Sequence, residues 1–154
     1  MNADFVNPFI AGLLNVLETM AQTKLTPGKP KRKQSDIAKG DVSGLIGMVG
    51  PDVRGSMSIT FDESLALTIM ERMVGERPGK LDAEVGDMVG EVTNMICGNA
   101  KRDLAERGYE FGMATPIVVS GKQHTISHQV DGAKIILPFM CDEGLAHLEI
   151  CFDK

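Results

Sequence analysis

The chain has 154 residues, which suits one compact domain spanning residues 1–154. Hydrophobic residues make up 43% of it and charged residues 24%, a balance typical of a globular protein. The net charge of −5 disfavours general nucleic-acid binding. No apolar run approaches the roughly 18 residues of a membrane span, and the N-terminus lacks the features of a signal peptide. We therefore expect a soluble, cytoplasmic protein without membrane contact, and the odd count of three cysteines argues against a disulfide framework.

Hydrophobic periodicity predicts a helix, a hairpin and a second helix in the first half of the chain. The first helix covers residues 3–21, and the hairpin covers residues 42–61 with its turn at Gly50-Pro51-Asp52. In the second arm of the hairpin, apolar and hydroxyl-bearing residues alternate, which predicts a strand with one packed face and one solvated face. Asp62 is the expected N-cap of the following helix, which ends near Met73.

A basic segment, residues 22–40, separates the first helix from the hairpin. Lysines cluster there with one arginine, but no aromatic residue lies among them to stack on a base. Charge runs are usually solvent-facing, so we expect a solvated loop or an exposed strand.

The second half of the chain repeats the order of helix and hairpin. A long helix is expected from about Asp82 to Arg107, with Gly108 as its C-terminal cap. An extended segment centred on residues 117–119 follows, and a last hairpin pairs residues 133–140 with residues 145–152. This faint repeat predicts an α+β domain with pseudo-twofold symmetry, in which two long helices pack against an antiparallel sheet formed from the hairpins.

The long helix carries two opposite stripes when its residues are placed at 3.6 per turn. The apolar stripe, which we expect to face the core, consists of Val85, Val89, Val92, Ile96 and Ala100. The opposite stripe consists of Asp87, Glu91, Asn94 and Gly98. Because these last four residues are spaced by three or four positions, they are successive neighbours on one face.

The polar stripe has two interpretations. It can be an ordinary solvated face, which every amphipathic helix has. However, Asn94 is a poor choice for an exposed helix interior, and glycine costs about 1 kcal/mol relative to alanine there. Gly98 also leaves room for another backbone to approach. These choices favour a functional face.

The sequence of this polar stripe resembles that of a known family of proteins. The pattern Asp87-x-x-x-Glu91-x-x-Asn94 is similar to the signature of the CheC/CheX/FliY-type chemotaxis phosphatases, and its single copy is most similar to CheX. Further resemblance lies in Phe5-Val6-Asn7-Pro8-Phe9, in Asn15-Val16-Leu17-Glu18-Thr19-Met20 and in Pro116-Ile117-Val118-Val119-Ser120-Gly121. If the first helix is aligned with the long helix, Gly12 falls where Glu91 stands, so the sequence predicts one site and not two.

The resemblance implies a CheC-like fold and a phosphatase that hydrolyses the aspartyl phosphate of a CheY-like response regulator. By position, Asn94 would be the catalytic amide and Glu91 the carboxylate that docks on a lysine of the regulator. Asp87 either contacts the partner or only solvates the helix. The resemblance also implies a homodimer and no cofactor of the protein's own, since the Mg²⁺ would belong to the regulator.

Two other classes of function are left open. The domain can be a binding module for a receiver domain or flagellar switch component without catalysis, or its function can lie in the basic segment. His124-x-x-x-His128 could bind a metal, but no acidic or thiol ligand nearby completes a site, so we expect none. Cys97 has no activating histidine near it in sequence and is expected to be an inert thiol.

Overall fold

The computed structural model of the chain describes residues 3–51 and 53–153, and within them it places three helices and eight strands. The helices are α1 (Ala3–Ala21), α2 (Glu63–Val74) and α3 (Ala83–Glu106). The strands are β1 (Thr26–Pro27), β2 (Lys31–Lys33), β3 (Val42–Val49), β4 (Arg54–Phe61), β5 (Gly112–Met113), β6 (Ile117–Ser120), β7 (Lys134–Cys141) and β8 (Gly144–Asp153). These bounds confirm the predicted helices and hairpins to within a residue or two. Asp52, which we assigned to the turn of the first hairpin, lies outside the described residues.

The strands form one antiparallel sheet in the order β1-β7-β8-β4-β3-β5, with β2 also paired to β7 and β6 also paired to β3. The two hairpins meet at the centre of the sheet, where β4 pairs with β8. Short strands form both edges. The predicted α+β architecture, with helices packed against an antiparallel sheet of hairpins, is therefore confirmed.

The helices share one hydrophobic core with one face of the sheet. All five residues of the predicted apolar stripe of α3 are fully buried in it. The two long helices pack against each other, and a methyl group at Gly12 would lie 3.0 Å from the carbonyl oxygen of Ile96. Gly12 thus allows the close approach of α1 to α3, and a larger side chain at that position would require the two helices to shift apart.

The prediction that one face of β4 is solvated is wrong. The hydroxyl-bearing residues Ser56, Ser58 and Thr60 are at most 4% exposed. Two loops lie on this side of the sheet. His128 bonds to Ser56, and His124 bonds to Ser43, the partner of Thr60. Residues 36–38 in turn lie against residues 124–126, joined by an Ile37–Thr125 bridge and by backbone hydrogen bonds. Both faces of the central sheet are therefore buried, one against helices and one beneath this pair of loops.

The basic residues of the segment are exposed as expected, except Lys33. The segment forms β1 and β2 on the edge next to β7, and the side chain of Lys33 is buried against Glu149 of β8. Asp62 lies at the predicted N-cap position of α2, but its side chain does not cap the helix. Its carboxylate accepts from Leu145 N of the second hairpin, and Asp41 accepts from Glu63 N instead.

Candidate functional site

Helix α3 is well defined at both ends, which holds its polar stripe in place. The Asp82 side chain accepts a hydrogen bond from Val85 N at 3.0 Å and so caps the N-terminus. At the other end, Gly108 adopts a left-handed conformation with φ of 92°, and Tyr109 N donates to Leu104 O. This pattern is a Schellman cap, so the prediction for Gly108 is confirmed.

The polar stripe lies on the open side of α3, as predicted. Asp87 and Glu91 are exposed, and Asn94 is half-buried. Among the described residues, no hydrogen bond or ion pair holds any of these three side chains to another group. A half-buried asparagine and an exposed glutamate without partners among the described residues are available for an external one.

A segment that the sequence did not assign to the site forms its second wall. Glu91 and Asn94 line an open groove of about 480 Å³ whose other side is the β5–β6 connection and the start of β6. The lining residues from this wall are Met113, Ala114, Thr115, Pro116 and Val118. The signal available in the sequence was the Pro116-Ile117-Val118 segment itself, which we used for the family resemblance but not for the site.

The glycines of α3 differ from one another in their surroundings. A methyl group at Gly90 would lie 3.4 Å from Val118 Cγ2, and one at Gly86 would lie 3.9 Å from Val118 Cγ1. A methyl group at Gly86 or Gly90 would therefore be in ordinary van der Waals contact with Val118 of β6. Gly98 has nothing described within 4 Å of such a methyl group and does not line the groove, so its surroundings are open to a partner.

The groove is acidic. Asp87 and Glu91 contribute carboxylates, and none of the described residues that line the groove is a lysine, arginine or histidine. A phosphoryl group alone would meet only negative charge there. A phosphorylated ligand must therefore bring its own cations into the groove.

The two histidines with metal-ligand spacing are bound to the sheet. His124 Nε2 lies 2.6 Å from Ser43 Oγ, and His128 is hydrogen-bonded to Ser56 Oγ through Nδ1 and to Glu149 through Nε2. In the described residues, no three potential ligands among His, Cys, Asp and Glu come close enough to hold a metal ion. The histidines instead fasten the loop of residues 121–133 over the sheet.

Cys97 lies at the side of α3 and is fully buried. Burial raises the pKa of its thiol to about 12. A thiol with that pKa is almost entirely protonated at neutral pH, which is consistent with the inert role expected of it.

Comparisons with known proteins agree with this geometry. The chain is similar over its whole length to a CheC-like superfamily protein from Shewanella sp. PV-4, with 62% identity, full coverage of both chains and a TM-score of 0.95. It is also similar to the chemotaxis protein CheX of Vibrio vulnificus, with 64% identity over 98% of this chain and 100% of that one, at a TM-score of 0.93.

More distant relatives carry functional names. The CheY-P phosphatase CheX of Thermotoga maritima is 26% identical over 123 residues, which is 79% of each protein. A CheX from Borrelia burgdorferi, solved in a complex with CheY, BeF3 and Mg²⁺, is 28% identical over 99% of this chain and 100% of that one, with a TM-score of 0.82.

No helix in the described part of the chain is long and apolar enough to cross a membrane. The family model for the chemotaxis phosphatase CheX matches residues 42–140, a span that contains α3 and the whole groove. The resemblance inferred from the Glu91 and Asn94 pattern is thus confirmed, and the chain belongs to the CheX family of chemotaxis phosphatases.

Proposed function

We propose that this protein hydrolyses the aspartyl phosphate of a CheY-like response regulator in the cytoplasm and so ends a chemotaxis signal. Asn94 positions the attacking water, and Glu91 docks on a lysine beside the phosphoryl group of the regulator. The observation that carries the proposal is the groove. An amide and a carboxylate lie one helical turn apart there, both without partners among the described residues, and none of the described lining residues is cationic.

The relatives support the choice of substrate. The Thermotoga protein is a CheY-P phosphatase, and the Borrelia protein forms a complex with CheY, BeF3 and Mg²⁺. A receiver domain with bound Mg²⁺ and a lysine would supply the positive charge that the groove lacks.

The chemistry requires little from this chain. An acyl phosphate is already a high-energy bond, and the receiver holds the metal that neutralises charge on the phosphoryl oxygens. What remains is to hold a water in line with phosphorus. The amide of Asn94 can accept from this water through its oxygen or orient it through its NH₂ group, and it carries no charge that would repel the phosphoryl group. Such positioning can lower the activation free energy by several kcal/mol.

Glu91 suits a different task. It lies one turn before Asn94 on the exposed face, where a charge-assisted bond to a lysine would fix how deeply the helix enters the receiver. Asp87 lies one further turn away and also lines the groove, where it adds negative charge. We propose no metal or cofactor of the protein's own, with Mg²⁺ belonging to the receiver.

The test is the decay of a phosphorylated CheY-like receiver in the presence of wild-type protein or the Asn94→Ala variant. We expect the catalysed rate to fall by about 100-fold or more, while binding of the receiver persists. Asn99→Ala is the matched control, because it makes the same change in the same helix at a residue that does not line the groove.

The alternative is a non-catalytic binding module for a receiver domain or a flagellar switch component. It predicts that wild-type protein and Asn94→Ala leave the decay of the phosphorylated receiver unchanged while both bind it. Decay at one common rate with wild type, with Asn94→Ala and without added protein would therefore replace the phosphatase with the binding module.

We also propose that the protein is a homodimer. The edge strands, β1 and β2 on one side and β5 and β6 on the other, pair within the described sheet on one side only, which leaves backbone groups on the outer side for a second copy. Light scattering at micromolar concentration is expected to give twice the chain mass of 16.6 kDa, and a monomer mass would refute the dimer without touching the catalytic proposal.

A further inference from the structure

Gly44 of β3 and Val118 of β6 are directly opposite each other in the sheet. Both lie against the same stretch of α3, where Gly44 meets Thr93 and Val118 meets Gly90. We call these four residues, Gly44, Thr93, Gly90 and Val118, the helix seat.

The contact between Gly44 and Thr93 is very close. Thr93 is fully buried, and its Oγ1 donates to Val89 O at 2.6 Å. A methyl group at Gly44 would lie 1.8 Å from Thr93 Oγ1 and 2.9 Å from Thr93 Cβ. Because the Cβ atom itself is too near, no rotation of the Thr93 side chain makes room. Any residue larger than glycine at this position must therefore increase the distance between α3 and β3.

The contact between Gly90 and Val118 has the opposite arrangement of sizes. Here the helix supplies the glycine and the strand supplies the larger side chain, with 3.4 Å between a methyl group at Gly90 and Val118 Cγ2. At one contact the larger side chain comes from the helix, and at the other it comes from the strand. Such interdigitated packing resists both a change in the distance between helix and sheet and a rotation of the helix about its axis.

Each helix residue of the seat directly precedes a residue of the proposed site. Gly90 is followed by Glu91, and Thr93 is followed by Asn94. We infer that the helix seat is a positioning device for the phosphatase site, with Gly44 and Thr93 setting how far Asn94 stands above the groove wall. This inference rests on the proposed function, since it requires Asn94 to act on the substrate.

The first experiment compares Gly44→Ala with Gly47→Ala. Both glycines lie in β3, but a methyl group at Gly47 meets only Ala114 Cβ at 3.9 Å and fits without a shift. For folded Gly44→Ala protein acting on the phosphorylated receiver, we expect kcat to fall by about 10- to 100-fold, since a misplacement of about 1 Å is enough for such a loss. Gly47→Ala is expected to keep wild-type kcat.

A rescue series separates positioning from simple packing. In the Gly44→Ala background, Thr93→Ala removes Oγ1 but leaves the short contact to Cβ, whereas Thr93→Gly removes both. We expect kcat to recover in part with Thr93→Ala and nearly fully with Thr93→Gly. Thermal stability should fall along the same series, because glycine and a lost buried side chain both weaken the helix. If Thr93 served only for packing, activity would fall with stability.

The outcomes are distinct. If folded Gly44→Ala turns over the receiver as Gly47→Ala does, or if Gly44→Ala/Thr93→Gly is less active than the single Thr93→Gly variant, the helix seat does not position the site. If Gly44→Ala does not fold, the comparison of the double variant with Thr93→Gly alone still decides, with equal kcat expected. Failure of the proposed function is a separate result: it would be seen as an Asn94→Ala variant that keeps full activity.

Discussion

Lys33 and Glu149 form an ion pair inside the protein. Lys33 Nζ lies 2.6 Å from Glu149 Oε2, and the two side chains are 4% and 0% exposed. The other carboxylate oxygen of Glu149 lies 3.2 Å from His128 Nε2, and His128 is in turn bonded to Ser56. The network thus joins edge strand β2, central strands β8 and β4, and the loop of residues 121–133 that continues from the groove wall.

Replacing Lys33 with methionine is expected to destabilise the protein by about 3–5 kcal/mol, because the variant leaves the Glu149 carboxylate buried without its main partner. The measurement is the free energy of unfolding in urea. Lys31→Met is the matched control, since Lys31 lies on the same strand and is exposed, and its replacement should cost less than about 0.5 kcal/mol. Similar losses for the two variants would mean that the buried pair does not hold the edge of the sheet.

The same carboxylate predicts how stability depends on pH. Burial alone raises the pKa of Glu149, but the hydrogen bonds from His128 and Lys33 outweigh it, so the net pKa lies below its usual value. The folded protein therefore binds a proton on Glu149 more weakly than the unfolded chain does. The resulting stability is complete above the unfolded pKa of about 4.3 and is lost as the pH falls through the lower folded value.

This pH dependence is tested by measuring the free energy of unfolding in urea at several pH values between 7 and 3. We expect Glu149→Gln to be less stable than wild type at pH 7 and the difference to shrink as the pH falls below about 4.3, because glutamine has no charge to lose. A constant difference across the range would show that the charge of Glu149 contributes nothing to stability.

The helices and hairpins could be predicted from the sequence because their signals are local. The 3.6-residue period of α3 and the alternation in β4 depend only on neighbours along the chain, and both gave bounds within a residue or two. The polar stripe followed from the same geometry. What local periodicity could not supply was any contact between distant segments.

Three misses have this common origin. The Ser56 face of β4 is buried because loops from residues 36–38 and 124–126 meet over it, and a polar face covered by polar loops has the same sequence pattern as a solvated one. The carboxylate of Asp62 accepts a hydrogen bond from Leu145 N, in a third segment of the chain. The amide of Glu63, at the start of α2, is therefore bonded to Asp41 instead. The groove wall at residues 113–118 is far from Asn94 in sequence, and only the sheet brings the two together.

The cysteines should differ in reactivity according to burial. Cys97 is fully buried with a pKa of about 12, whereas Cys141 is only half-buried, although burial raises its pKa as well. In folded protein at pH 8, we expect iodoacetamide to modify Cys141 first and to leave Cys97 unmodified, as read by mass spectrometry of peptides. In urea, both should react. Labelling of Cys97 in the folded protein at the rate seen in urea would contradict its burial within the core.

Glu91 and Asn94 should separate kinetically, since one is proposed to dock and the other to position water. Glu91→Gln keeps the size of the side chain and removes its charge, so we expect KM for the phosphorylated receiver to rise by about tenfold, with a smaller change in kcat. The KM of the variant should also depend less on salt, because one ion pair with the receiver is lost. Asp87→Asn removes a charge from the lining of the same groove, and its effect on KM should be about two- to threefold at low salt, in the range of an exposed ion pair. If Glu91→Gln instead lowered kcat and left KM and its salt dependence unchanged, Glu91 would belong with Asn94 among the groups that act on the reacting phosphoryl group.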